Sequence, residues 1–215
     1  MGVLHGLLRS GFHAGQHQRH AVHAVQTPGR TLKRLLLAAA ASLLWAGAAL
    51  AQSQSPAATA QEVASALPQG QLIGQGRLTV WGFQVYDARL WAATGFGAGG
   101  YASQPMALEL AYLRAFDAVE VAKRSLQEMR RSAAISEAQA AQWTTELLRV
   151  IPDVRKGDRI TGVHRPGVGA AFWVNGRASG EIRDAEFARL FFGIWLSPNT
   201  SEPQLRQALL AGAGE

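Results

Sequence analysis

The sequence predicts an α+β fold built on an antiparallel sheet, and three observations predict it. Strand-like and helix-like segments come in blocks rather than in the strict alternation that is typical of parallel sheets. Two consecutive amphipathic helices follow the second predicted strand. Near the C-terminus, Asn175-Gly176 separates two alternating segments, and this dipeptide favours the two-residue hairpin turn that joins antiparallel neighbours.

The N-terminal part of the chain has the pattern of an export signal. Residues 35–50 are all Leu, Ala, Ser, Trp or Gly, they follow Lys33-Arg34, and they precede the polar segment that begins at Gln52. This apolar run is shorter than the roughly 20 residues that a membrane-spanning helix needs, and its small-residue ending suits a signal peptidase. A retained anchor helix is the alternative, and it is disfavoured because no charged stop-transfer cluster follows.

We therefore predict a signal peptide over residues 30–51, cleaved after Ala51, and a periplasmic or secreted mature protein. Residues 1–29 precede the normal start of a signal and are interpreted as a misassigned or disordered extension. The Ala-, Gln- and Ser-rich residues 52–70 are predicted to be a linker, and the folded domain is predicted over residues 71–212.

Cleavage would change what the composition implies about partners. The whole chain has 21 Lys and Arg, 15 Asp and Glu, and a formal net charge of +6. Five basic residues and no acidic residue precede the cleavage site, so the mature charge falls to about +1, and the argument for nucleic-acid binding disappears. Cysteine is absent and five of the six histidines also precede the site. No disulfide, metal or cofactor is predicted.

The first strong segment of the domain runs from Leu72 to Trp91. Large apolar groups fall on both faces of this alternating segment, which predicts one long strand in the middle of a sheet with helices over one face. The following loop, Gly95–Tyr101, lacks the Lys-Ser/Thr ending of a phosphate loop and is predicted to be a flexible hairpin connection. A second strand is predicted from Met106 to Arg114.

Two helices are predicted next. The first begins after Asp117 and carries an apolar stripe at helical spacing, and the second begins at the capping box Ser136–Gln139 and ends before Pro152. Asp184 is predicted to open a third helix with a wide apolar face. Ser201 is predicted to cap a short last helix.

The remaining strands alternate clearly. They are predicted over Arg159–His164, Ala170–Val174 and Arg177–Ile182. Because Arg165-Pro166-Gly167 reads as a turn, His164 is predicted to be an exposed loop residue.

With these elements in order, the chain resembles the chalcone isomerase-like family, in particular its small exported bacterial branch. The resemblance covers about Leu72 to Leu210 and implies an open-faced β-sandwich, a curved antiparallel sheet with helices packed on one face and a cleft between them. The matching marks are Gly76, Val85-Tyr86-Asp87-Ala88-Arg89-Leu90-Trp91, Leu108-Glu109-Leu110-Ala111-Tyr112, Pro152-Asp153, Gly157-Asp158, Asn175-Gly176, Phe187, Phe191-Phe192 and Ile194-Trp195-Leu196.

The resemblance does not carry the family's catalytic residues onto this chain. Plant enzymes of the family close a flavanone ring with a strand arginine and with a tyrosine and an asparagine near a helix start. Matching through Val85-Tyr86 puts that arginine at Leu78, whereas Arg77 is one residue away and faces the other side of a strand unless a bulge intervenes. The helix region 116–131 has no tyrosine and no asparagine. We therefore predict no catalytic residue.

The candidate ligand-binding residues are polar or aromatic groups on the two first strands. Tyr112 and Arg114 share a strand face, and a guanidinium there could bind a carboxylate, as the resemblance to fatty-acid-binding plastid members implies. The alternative is that Arg114 pairs with Asp117 or Glu120. The full candidate set is Arg77, Trp81, Tyr86, Tyr112 and Arg114.

Three functions follow as hypotheses, and the oligomeric state stays open. The first is a noncatalytic exported protein that binds a small apolar or amphipathic ligand, fatty-acid or flavonoid-like, in the sheet–helix cleft, without a stable membrane anchor after signal cleavage. The second is an isomerase or intramolecular lyase acting on an unsaturated ketone, with Arg77, Tyr86 or Tyr112 as polarising groups. The third is a cell-envelope module that binds a protein partner.

Overall fold

The structure is a computed structural model, and it describes residues 60–214. The predicted extension over residues 1–29, the signal peptide over 30–51 with its cleavage after Ala51, and linker residues 52–59 lie outside the described residues. Within the described range, no helix has the length and apolarity that crossing a bilayer requires.

Six strands form one antiparallel sheet in which each strand pairs with its neighbour along the chain. This order confirms the predicted α+β class and its antiparallel sheet. The strands are β1 (Gln71–Val80), β2 (Phe83–Ala92), β3 (Met106–Tyr112), β4 (Arg159–Arg165), β5 (Gly169–Val174) and β6 (Arg177–Ile182).

Four of the five α-helices in the described residues cover one face of the sheet, which we call the inner face and which carries Leu90, Leu108 and Phe172. α5 packs on β1, α4 on β4 and β5, α3 on β6, and α2 on α3 and α4. These helices are α2 (Ala118–Met129), α3 (Glu137–Val150), α4 (Ala185–Leu196) and α5 (Pro203–Leu209).

Aromatic rings fill the middle of the space between the inner face and α4. Phe191 lies at the centre, with ring centroids 5.4 Å from Phe172, 5.4 Å from Phe187, 5.5 Å from Phe192 and 5.4 Å from Trp195. All five side chains are buried. Burial of such large rings supplies much of the hydrophobic stabilisation in a domain without disulfides.

The predicted long strand from Leu72 to Trp91 is wrong, because the chain turns back in its middle. Trp81 and Gly82 have φ of 50° and 81°, and they form the two-residue turn between β1 and β2. The alternation of apolar residues continues through this turn, so the sequence pattern did not indicate it. β1 therefore lies at the edge of the sheet rather than in its middle.

The edge strand β1 is covered closely by α5. A Cβ atom at Gly74 would fall on the backbone carbonyl oxygens of Ala208 and Leu209, so only glycine permits this approach. The predicted cap of α5 is wrong. Glu202, not Ser201, is the N-cap residue, Pro203 occupies the first turn, and no side chain caps the helix.

The predicted starts of α3 and α4 are confirmed. Ser136 and Gln139 form the reciprocal capping box of α3, and the Asp184 carboxylate accepts hydrogen bonds from the first backbone N–H groups of α4. At α2, Asp117 is the N-cap residue, but its side chain caps nothing. The Ala118 N–H instead donates to the Asp153 carboxylate, 2.8 Å away.

A short helix, α1 (Gln61–Ala66), lies inside the segment that was predicted to be a linker. It packs on the sheet face opposite the inner face, which we call the outer face, where Val63 and Leu67 contact a patch that includes Trp91 and Val163. The Ala- and Gln-rich composition concealed these two apolar contacts. The outer face is therefore partly covered, while the main helical layer lies on one face as predicted.

Two buried glutamates and two partly exposed arginines alternate along the outer face beneath and beside α1. The Glu62 carboxylate accepts from the Thr161 hydroxyl at 2.9 Å and from Arg159 Nη2 at 3.0 Å. Arg159 Nε lies 3.5 Å from the Glu109 carboxylate, which accepts from Arg89 Nη1 at 2.9 Å. Both glutamates are almost fully buried, so this outer-face charge chain ties α1 to β2, β3 and β4.

The prediction that His164 is an exposed loop residue is wrong. His164 is the sixth residue of β4, only 2% exposed, and its ring centroid lies 5.1 Å from that of Phe192. Its Nδ1 is 3.2 Å from the Gln104 carbonyl oxygen. Burial lowers the pKa of His164 below its usual value. The turn that suggested exposure begins one residue later.

Candidate functional site

Two of the five candidate ligand-binding residues are brought together by the sheet. Tyr86 on β2 and Tyr112 on β3 are register partners, and their ring centroids are 5.9 Å apart in an edge-to-face arrangement. Both rings face the helices as part of, or packed against, the main core. The remaining three candidates lie elsewhere.

Arg77 lies on the outer face, away from this tyrosine pair. Its guanidinium donates from Nε and Nη2 to the Asp87 carboxylate at 2.5 and 2.9 Å. The bulges of this hairpin occur where Ile73 and Val85 are the extra residues, so none lies at Gly76 to turn Arg77 inward. The neighbouring Leu78 pairs with Tyr86 and packs against the core instead.

Trp81 and Arg114 lie near the tip of the β1–β2 hairpin. Trp81 is 54% exposed in the turn itself. The Arg114 guanidinium carbon lies 5.0 Å from the centroid of the half-exposed Phe83 ring, a cation–π arrangement. Within residues 60–214, Arg114 forms no ion pair with Asp117 or Glu120, the partners that the sequence suggested as an alternative.

Polar groups on α2, on α4 and at the start of α5 contact Tyr86 of β2 or act electrostatically on its hydroxyl or on one another. Trp195 Nε1 on α4 donates to the Tyr86 hydroxyl oxygen at 2.9 Å. On α2, Arg124 Nη2 lies 2.6 Å from Glu128 Oε1. We call this set the Tyr86 cluster, and its members are Tyr86, Tyr112, Arg124, Glu128, Trp195 and Glu202.

The protonation states of the cluster follow from its burial. Burial raises the pKa of both the Tyr86 and the Tyr112 hydroxyls above the usual tyrosine range, so both phenols stay neutral at neutral pH. Burial, and next the nearby Glu128 carboxylate, raise the pKa of Glu202. The cluster therefore offers neutral phenols beside two neighbouring carboxyl groups, and these phenols are not bases.

One acceptor in the cluster has no hydrogen-bond partner. Glu128 is 8% exposed, and its Oε2 atom is buried without a hydrogen bond. Arg131 Nε lies 3.6 Å from that atom and already donates to the Asn199 carbonyl oxygen at 3.0 Å. A buried acceptor left unsatisfied costs about 1–3 kcal/mol, so a donor placed there would be stabilised.

Sequence reasoning missed both carboxyl groups of the cluster. The four-residue spacing of Arg124 and Glu128 was a signal, because it places the pair on one helix face. Glu202 gave no such signal, since it reaches the cluster only through the packing of α5.

An open groove of about 300 Å³ lies away from this cluster, between α3 and β6. Its lining is largely charged and includes Glu146, Arg149 and Arg183, so it does not suit an apolar ligand. Within residues 60–214, no group of three His, Asp or Glu side chains is placed to hold a metal ion.

An antiparallel meander with helices over one face and a buried phenol pair between sheet and helices defines the class of this domain, an open-faced α+β sandwich. The chain belongs to the chalcone isomerase-like family, whose family model matches residues 54–211. It is 28% identical to an uncharacterised protein of Haemophilus influenzae over 141 residues, which cover 65% of this chain and 67% of that protein.

A solved structure has the same fold. It is a fatty-acid binding protein of Arabidopsis thaliana with a TM-score of 0.51 and 12% sequence identity, and the match covers 66% of this chain and 87% of the plant protein. At this identity the similarity extends to the fold alone.

Proposed function

We propose that this protein is an exported, noncatalytic binding protein for a small amphipathic molecule whose polar end enters the Tyr86 cluster. The observation that carries the proposal is the buried Oε2 atom of Glu128, which forms no hydrogen bond although Arg131 Nε lies 3.6 Å away. Buried acceptors are nearly always satisfied, and a ligand donor would satisfy this one.

Two features favour binding over catalysis. At the position where the resemblance to plant enzymes puts a strand arginine, Leu78 faces the core, and the adjacent Arg77 is held by Asp87 on the outer face. The two phenols are neutral, and Tyr86 already accepts a hydrogen bond from Trp195. Losing oriented donors for a developing negative charge lowers catalytic rates by orders of magnitude.

The charges of the cluster favour one kind of polar end. Glu128 and Glu202 lie close enough for one to raise the pKa of the other, and Arg124 and Arg131 already pair with Glu128, so an added carboxylate would compete with Glu128 for these cations. A hydroxyl can donate to Glu128 Oε2 without that penalty. The plant protein with the same fold is a fatty-acid binding protein, which supports testing ligands whose other end is an apolar chain. We infer a long-chain alcohol or a phenol rather than a fatty carboxylate.

Decanol, decanoic acid and a hydroxylated chalcone form the test panel. At a hundred times its dissociation constant, a bound probe should add about 2.7 kcal/mol and raise the melting temperature by about 5–10 °C. Decanol is expected to shift the wild type more than decanoic acid at pH 7. Tyr86→Phe should weaken binding about threefold to tenfold, because it removes a buried hydroxyl that accepts from Trp195 and whose proton can be donated to the polar end of the ligand.

Tyr101→Phe is the matched control, since Tyr101 lies against Gly193 of α4 and outside the cluster. Ligand binding would be rejected if no probe shifts the melting temperature and native mass spectrometry detects no co-purifying small molecule. If the wild type converts the chalcone and Tyr86→Phe abolishes this turnover, the protein is an isomerase and not a noncatalytic binding protein.

Export is the second part of the proposal. The predicted cleavage after Ala51 lies before every described residue, so removal of the signal would leave all described elements intact. The intact mass of the protein recovered from the periplasm or medium should correspond to a chain that begins at Gln52. Recovery of full-length chain from the cytoplasm alone would contradict this prediction.

A further inference from the structure

The tip of the β1–β2 hairpin exposes two aromatic side chains on a strained turn. Trp81 is 54% exposed and Phe83 is 51% exposed. Trp81 has a φ of 50°, in the left-handed region that bulky residues rarely occupy, and Gly82 follows with a φ of 81°. We call residues 81–83 the aromatic turn.

The same chain contains the favoured solution for this backbone geometry. Asn175 and Gly176, between β5 and β6, have φ values of 51° and 81°, which nearly equal those of Trp81 and Gly82. Asparagine and glycine are the residues that such turns prefer, and tryptophan is not among them. The backbone geometry of the turn therefore does not select Trp81, and strained residues of this kind concentrate at functional sites.

We propose that the aromatic turn docks the protein on a phospholipid bilayer surface. Tryptophan and phenylalanine favour the boundary between headgroups and acyl chains. Arg114, whose guanidinium lies 5.0 Å from the Phe83 ring centroid, places a cation where lipid phosphates would lie. Arg114 thus suits the phosphate layer of a membrane surface, and the aromatic turn suits the boundary with the acyl chains below it.

The small exposed area of the aromatic turn favours a bilayer over a protein partner. Two half-exposed aromatic side chains offer on the order of 200 Å². A stable protein interface buries roughly 800 Å² on each partner, whereas shallow insertion into lipid needs no matching surface. Docking is independent of the proposed ligand. It would also hold the Tyr86 cluster close to the bilayer, because Leu78, three residues before the turn, pairs with Tyr86.

Trp81→Asn tests this proposal with a residue that suits the backbone of the turn, since it copies the Asn-Gly turn of the same chain. The mature protein is sedimented with vesicles of phosphatidylethanolamine and phosphatidylglycerol. Wild type is expected to bind, and Trp81→Asn should bind at least about tenfold more weakly with an unchanged or higher melting temperature. Arg114→Gln should reduce binding to these anionic vesicles more than to vesicles of phosphatidylcholine alone.

Val168→Asn is the control, because Val168 is 53% exposed near the β4–β5 turn and should leave vesicle binding unchanged. Absence of vesicle binding by the wild type, or equal binding by Trp81→Asn, would overturn the proposal. Binding that depends on Trp81 but occurs only with an envelope protein would also overturn it, in favour of a protein partner.

Discussion

Replacing Glu109 by alanine is expected to lower the free energy of unfolding by about 2–4 kcal/mol. Glu109 is 2% exposed on β3 and lies between two arginines, with Arg89 Nη1 at 2.9 Å and Arg159 Nε at 3.5 Å. Its removal leaves two neighbouring positive charges with only Glu62 to compensate them. Partial exposure of both arginines keeps the loss below that of a fully buried pair.

Two variants make this prediction specific. Glu109→Gln keeps the shape and one acceptor oxygen, so it should lose about half as much as alanine. Glu146→Ala removes an exposed ion pair with Arg149 on α3 and should change stability by less than about 1 kcal/mol. Urea unfolding measures all three. Equal losses for Glu109→Ala and Glu146→Ala would contradict the structural role of the outer-face charge chain.

The Asp184→Ala variant is expected to lose about 2–4 kcal/mol, because one carboxylate performs two tasks. Its Oδ1 accepts from the backbone N–H groups of Glu186 and Phe187 at 2.9 Å each, which caps α4. Its Oδ2 accepts from Trp143 Nε1 at 2.9 Å, and Trp143 is only 1% exposed. The melting temperature should fall by about 5–15 °C.

Asp184→Asn retains a capping oxygen and should be milder than alanine. A double-mutant cycle separates the two tasks. In a Trp143→Phe background the loss caused by Asp184→Ala should shrink by about 1–2 kcal/mol, since no buried indole N–H is then left unpaired. An unchanged loss would show that the indole bond contributes nothing.

Local chemistry in the sequence was enough to predict much of the fold. The Asn175-Gly176 turn, the Ser136 capping box and the Asp184 cap each depend on residues a few positions apart, and the structure contains all three. The turn at Trp81 was missed because tryptophan is not a turn residue and the apolar alternation did not pause there. α1 was missed because its apolar contacts are few and its buried Glu62 pairs with Arg159 and Thr161, which are distant in the sequence.

The site was harder to predict because it depends on packing between distant elements. Tyr86 and Tyr112 were both chosen from the sequence, and the structure brings them together because their strands pair. Arg77 was assigned to ligand binding, but the positions of the bulges leave it on the outer face with Asp87. Its role in binding stays a prediction that no observation yet supports. Glu128 and Glu202 meet only after α5 has docked, and no spacing in the sequence encodes that meeting.

The strand order has a consequence for how the chain folds. The β1–β2, β4–β5 and β5–β6 connections are two or three residues long, and such hairpins form in about 1–10 μs, while residues 93–105 join β2 to β3. Only the β3–β4 pairing must wait for residues 113–158, including both helices between them, to be brought together. We therefore expect two quickly formed halves whose joining limits the folding rate.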